Sequence, residues 1–128
     1  MFDISYRVES KRPFEEITSR LEAAIPQNGF RVLAVHDVQK TLEEKGFDSK
    51  PLKIIELCNA RFAHEALSRE IDVAMMMPCK IVVRSEGAGS VMTMVRPSMI
   101  SQFSPDAGLD ELAVEVEDVM KRIMDEAG

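Results

Sequence analysis

The sequence predicts an α+β fold: an antiparallel sheet of about five strands with helices packed mainly on one face, in the order β-α-β-β-α-β-β-α. Three observations carry this. Phe2, Ile4, Tyr6 and Val8 alternate with Asp3, Ser5 and Arg7, the period of two of a half-buried strand. Two distant stretches, around 14–24 and 109–123, repeat apolar residues at three- and four-residue steps. The apolar runs between them are joined by short links, which favour antiparallel neighbours.

After the first strand, Pro13 suits the first turn of a helix, where a missing N–H costs nothing. Phe14, Ile17, Leu21 and Ala24 form one stripe against Glu15, Glu16, Arg20 and Glu22, and Asn28-Gly29 supplies a left-handed end. A second strand runs from Phe30 to Val35. Thr41 to Lys45, closed by Gly46, is a short helix or turn, and 47–51 is a loop. Leu52 to Leu57 is apolar enough for a central strand. Ala60 to Glu70, with Ala63, Ala66 and Leu67 on one side, is a helix. Cys79 to Arg84 and Val91 to Arg96 flank a glycine-rich turn and form a hairpin. Residues 97–108 are loop-like. Leu109, Leu112, Val116, Val119, Met120 and Ile123 then mark a long amphipathic helix, its acids and bases on a solvated face.

Composition excludes several classes. At 128 residues the chain suits a single α+β domain, 1–128, and 45% apolar with 30% charged residues argues against disorder. A net charge of −6, with no basic stripe, argues against nucleic acid. No apolar run is long enough for a membrane span, and the N-terminus lacks the pattern of a signal peptide. Cytoplasmic localisation and reduced thiols are therefore expected.

Chemistry-bearing residues are few. Cys58 lies where a strand gives way to a helix, a position at which N-terminal amides can stabilise a thiolate, and Cys79 begins the next strand. The plainer reading is that each is a small buried apolar residue, which is where free cysteine is most often found. Glu56 shares a strand face with Ile54 and Cys58 and is read as half-buried. With Cys58, Cys79 and Glu56, His64 would complete a zinc or iron site, although a lone surface histidine is the commoner explanation. His36 ends a strand. Met75-Met76-Met77 precede Pro78-Cys79, and such thioethers bind soft metal, line an adaptable apolar pocket, or fill gaps in a core. Gly87-Ala88-Gly89 precedes no helix and is a hairpin turn.

Glu56-Leu57-Cys58-Asn59, then Ala63 and Ala66-Leu67, then Met77-Pro78-Cys79-Lys80-Ile81-Val82-Val83, resemble the bacterial and archaeal domain of unknown function family 302. The likeness reaches upstream through the first helix to Gly29-Phe30. It implies an α+β fold, usually dimeric, with no established activity and no catalytic residues to transfer. Interest therefore centres on Cys58, Asn59, Pro78 and Cys79. Asn59 either caps the following helix or hydrogen-bonds a ligand.

Three readings follow. The leading one is a ligand-binding or sensing module, in which Cys58 and Cys79, with Asn59, Glu56 and Met77, form a pocket for a small molecule. A soft metal on Cys58, Cys79 and His64 is a variant of it. The second is a thiol-based redox protein or enzyme activated at Cys58. The third is a purely structural dimer or assembly module built on the final helix; separately, the second sheet face must be polar or covered, and a second copy in a homodimer is its simplest cover. Neither a cofactor nor a catalytic residue is identified by the sequence.

Overall fold

In the computed structural model, which describes residues 4–102 and 108–128, the elements run β1 (Ser5–Ser10), α1 (Phe14–Gln27), β2 (Arg31–Asp37), α2 (Val38–Glu44), β3 (Leu52–Cys58), α3 (Ala60–Arg69), β4 (Cys79–Glu86), β5 (Gly89–Val95) and α4 (Asp110–Ala127). Short 3₁₀ segments span Ile71–Met76 and Pro97–Gln102. The five strands form one sheet in the order β1-β5-β4-β3-β2, and each neighbouring pair is antiparallel. This is the expected α+β architecture. The expectation for Phe2 lies outside the described residues, as does part of the 97–108 loop.

Alternation decides which side chains reach the helices. Ile55 and Leu57 on β3, Ile81 and Val83 on β4, and Met92 and Met94 on β5 all point inward and are buried. Their neighbours Ile54, Glu56, Val82 and Thr93 lie on the opposite face. The interior position expected of β3 is met, with β4 at the centre and β1 and β2 at the edges. β2 extends to Asp37, two residues past the expected end, and carries an irregularity between Val32 and Ala34. Such a kink blunts an edge strand against pairing with another chain.

Local chemistry explains the helix ends. α1 closes in a two-bond motif: Phe30 N–H donates to the Ile25 carbonyl and Gly29 N–H to that of Pro26, both at 3.1 Å. Only Gly29 takes the left-handed conformation, at φ 80°, while Asn28 stays at φ −104°. α2 begins earlier than expected because the Asp37 carboxylate accepts the Lys40 N–H at 3.0 Å. α4 lies beside α1, whose Arg20 donates to the carbonyls of Ala127 at 2.9 Å and Glu126 at 3.0 Å. These bonds satisfy groups that a helix end leaves open.

The apolar stripe of α4 faces its own chain. Leu112, Met120, Ile123 and Met124 are all buried in the common core. Val116 and Val119, on the same stripe, are partly buried against that core. The face is not uniformly solvated on its other side either. Glu117, expected among solvated acids, is only 7% exposed.

No helix among the described residues is long and apolar enough to cross a membrane.

Candidate functional site

At one end of the sheet β3 finishes, β4 begins, and β5 passes into the Pro97–Gln102 segment. A pocket of about 540 Å³ opens there, bounded by α3, the two 3₁₀ segments and the first half of α4. Its wall is mostly apolar. Phe30 and Phe62, with ring centroids 6.0 Å apart, stand on one side, and Leu112 and Val116 on the other. Both cysteines and five of the nine methionines contribute: Met75, Met76, Met77, Met94 and Met99. Met75, 81% exposed, and Met76 form the rim.

The strands part at this end. β4 and β5 pair from Glu86 with Gly89 to Val82 with Thr93 and no farther, although β4 reaches back to Cys79 and β5 on to Val95. Side chains from both sheet faces therefore line one pocket: Cys79 and Met94 from the helix side, Lys80, Val82 and Thr93 from the other. Parting also explains how Cys58 and Cys79 share it. β3 pairs Leu57 with Cys79, so Cys58 lies one residue beyond that row, at the strand's end.

Neither thiol is activated. Burial pushes Cys58 above the usual thiol range, and burial together with the nearby Cys58 pushes Cys79 up to about 11. A thiolate helped by helix amides would have moved the other way. Asn59, next to Cys58, is engaged within the fold. Its side chain takes the N-terminal position of α3, the Oδ1 accepting Phe62 N–H at 3.0 Å while Nδ2 donates to the Gly29 carbonyl at 2.9 Å. Asn59 lines the pocket, but its amide caps α3 and ties that helix to the end of α1. Of its two expected roles, the structure displays the cap.

Two other expected residues stand elsewhere. Glu56 lies on the sheet face away from the helices, where it meets His36 Nε2 at 2.9 Å, and it does not line the pocket. It is half-buried, as its strand position indicated. His64 is exposed. It follows the inward-facing Phe62 by two residues, roughly 200° around the helix, and so points to solvent. The constellation of Cys58, Cys79 and His64 is therefore not assembled. Among the described residues no group of three or more His, Cys, Asp or Glu side chains could hold a metal ion. Met77 does line the pocket, just before a cis Met77–Pro78 peptide.

Sequence reasoning missed residues brought in from far along the chain. Arg96, Met99, Leu112 and Val116 line the pocket, yet 97–108 reads as a plain loop and the α4 stripe as ordinary core. It also missed Glu117, which fastens the Pro97–Gln102 wall to α4. Its Oε1 accepts the Ser98 hydroxyl at 2.6 Å and the Ser98 N–H at 3.0 Å, and its Oε2 lies 3.2 Å from Lys121 Nζ. A signal existed. Ala113, Glu117, Met120 and Met124 recur at helical spacing, which sets a carboxylate inside an apolar stripe. Burial alone would raise its pKa, but the Ser98 bonds and Lys121 outweigh that and hold it below the usual value.

Comparison with known proteins agrees with this picture. The profile of a family described as a domain of unknown function, DUF302, matches residues 6–127. The crystal structure of an uncharacterized conserved DUF302 protein from Bacillus stearothermophilus superposes with a TM-score of 0.93 at 32% identity, covering 99% of this chain and 100% of that one. No protein of curated function matches. The resemblance first seen around Cys58 and Cys79 thus extends across the fold, and the chain belongs to the DUF302 family.

Proposed function

We propose that this protein is a binding or sensing module that holds a small, largely apolar molecule in the pocket at the end of its sheet. The observation that carries the reading is the pocket itself. Its volume of about 540 Å³ falls within the roughly 300–1,000 Å³ typical of small-molecule sites. Exposed thioethers at its rim are costly in water unless something covers them, and methionine's flexible chain adapts to different shapes. Cys58 and Cys79 act here as compact, neutral wall groups. Their raised pKa values weigh against a nucleophile and against a soft metal, since both uses require a thiolate.

The test uses N-phenyl-1-naphthylamine, a neutral dye that brightens in apolar surroundings. The native protein should take it up, whereas Ala66→Phe, which puts a ring into the pocket from α3, should weaken uptake by roughly tenfold or more. Circular dichroism and the melting temperature control for folding. Equal dye binding by a folded Ala66→Phe protein would remove the pocket as the site.

A further inference from the structure

The 3₁₀ segment between α3 and β4 is apolar and yet stands in water. Ile71–Met76 buries Val73, while Ile71, Met75 and Met76 are exposed, Met76 at 44% and Met75 at nearly twice that. Elsewhere the fold shields its thioethers. Met92, Met94, Met120 and Met124 are at most 3% exposed, and Met77 and Met99 are half-buried. Met75 and Met76 are therefore the most accessible thioethers among the described residues, and both line the pocket. An oxidant arriving from solution meets them first. Thiols would ordinarily compete for it, but the thiolate is their reactive form, and burial holds Cys58 and Cys79 above the usual thiol range.

Resting on the pocket reading above, we infer that Met75 and Met76 are a reversible oxidation site at the mouth of the pocket, through which a peroxide turns ligand binding off. Each thioether sulfur attacks one peroxide oxygen. A sulfur–oxygen bond forms as the oxygen–oxygen bond breaks, the sulfur loses two electrons, and hydrogen peroxide leaves as water. The product is a methionine sulfoxide, polar where the thioether was apolar, and methionine sulfoxide reductases reverse the change. An apolar surface laid against the new oxygen must strip its water and return no hydrogen bond, which is costly. The same two side chains that invite an apolar ligand when reduced thus repel it when oxidised. Their position makes this a change at the rim, outside the core held by Met92, Met120 and Met124, so the fold should withstand it.

The test treats the whole protein with dilute hydrogen peroxide, maps the oxidised residues by peptide mass spectrometry and measures uptake of N-phenyl-1-naphthylamine. Met75 and Met76 should each gain one oxygen before any other described methionine and before either cysteine. Dye affinity should then fall roughly tenfold or more, with the circular dichroism spectrum unchanged, and a methionine sulfoxide reductase should restore it. In Met75→Leu/Met76→Leu, whatever its starting affinity, the same treatment should alter uptake by less than about twofold. Unchanged uptake by native protein carrying both sulfoxides overturns the inference. So does a loss of uptake equally large in the double-leucine protein, and so does oxidation of Cys58 or Cys79 ahead of the two methionines. In those three cases dye binding by the untreated protein leaves the pocket reading standing, whereas an untreated protein that takes up no dye ends both.

Discussion

Replacing Glu117 by alanine isolates the clamp that fixes the Pro97–Gln102 wall to α4. The native carboxylate accepts two hydrogen bonds from Ser98, at 2.6 and 3.0 Å, and pairs with Lys121 at 3.2 Å. Hydrogen bonds to charged groups contribute about 1.5–3 kcal/mol each, offset in part by the cost of burying the carboxylate. Lys121 is a third exposed, and such pairs add only about 0.5 kcal/mol. Glu117→Ala should therefore destabilise the fold by about 2–4 kcal/mol, and Glu117→Gln, which keeps one acceptor, by about 1–2 kcal/mol. Because the folded pKa is lowered, this stability is complete above the unfolded value of about 4.3 and is lost as pH falls through the folded one. Urea titrations at several pH values measure it. The gap between native protein and Glu117→Gln should narrow below about pH 4.3, because the protonated native side chain then resembles the amide. A gap that stays constant from about pH 6 to about pH 3, or an alanine cost under about 0.5 kcal/mol, would refute this account.

Four further outcomes are expected. Asn59→Ala should cost about 1–2 kcal/mol in urea unfolding by removing the cap of α3 and the tie to Gly29, while Asn59→Asp, which retains the acceptor, should recover part of that; equal losses would show that the cap is unimportant. Iodoacetamide should modify both thiols slowly at neutral pH, with Cys79 reacting only as pH rises toward about 11; mass spectrometry showing rapid modification of Cys58 at pH 7 would restore the activated-thiol reading. The same raised values favour the neutral thiols in the fold, so stability should fall as pH climbs from about 8.5 through the folded pKa of Cys79. Gly29→Ala, forced to hold φ 80°, should lower stability by at least about 1 kcal/mol, and an unchanged urea midpoint would contradict the Gly29 conformation.

Much of the fold was legible because period and punctuation agreed. Tyr6 and Val8 alternate toward the core, the one polar residue on the buried face of α1, Thr18, donates its hydroxyl to the Phe14 carbonyl at 2.8 Å, and Asn28-Gly29 stops the helix at the residue expected. The Gly87-Ala88 turn joins strands that pair directly, Glu86 with Gly89. Less legible was the 3₁₀ segment Ile71–Met76, which buries little beyond Val73 and is held in part by the Glu70 side chain accepting the Asp72 N–H. Such a segment has no period to detect. For the site, local pattern put Cys58 at the end of one strand and Cys79 at the start of the next, and left open whether the two share one end of the sheet. That the ends of β4 and β5 part, and that Arg96 and α4 close over the gap, depends on pairings between residues far apart in the chain. Helical phase could have told His64 from Ala63 and Ala66, since they lie on different sides of α3.

The strand order also bears on how the molecule folds. β2 to β5 follow one another as neighbours in both sequence and space, whereas β1 must find β5, with Ser5 opposite Val95. Closing so long a loop is entropically slow, so the four-strand meander is expected to form first, and the docking of β1, with α4 packing against α1, to complete the molecule. The hollow between the sheet's end and α4 is then the last part to take shape. Stopped-flow refolding followed by naphthylamine fluorescence should lag behind the far-ultraviolet signal of the sheet, and binding competence would report on the final step of assembly.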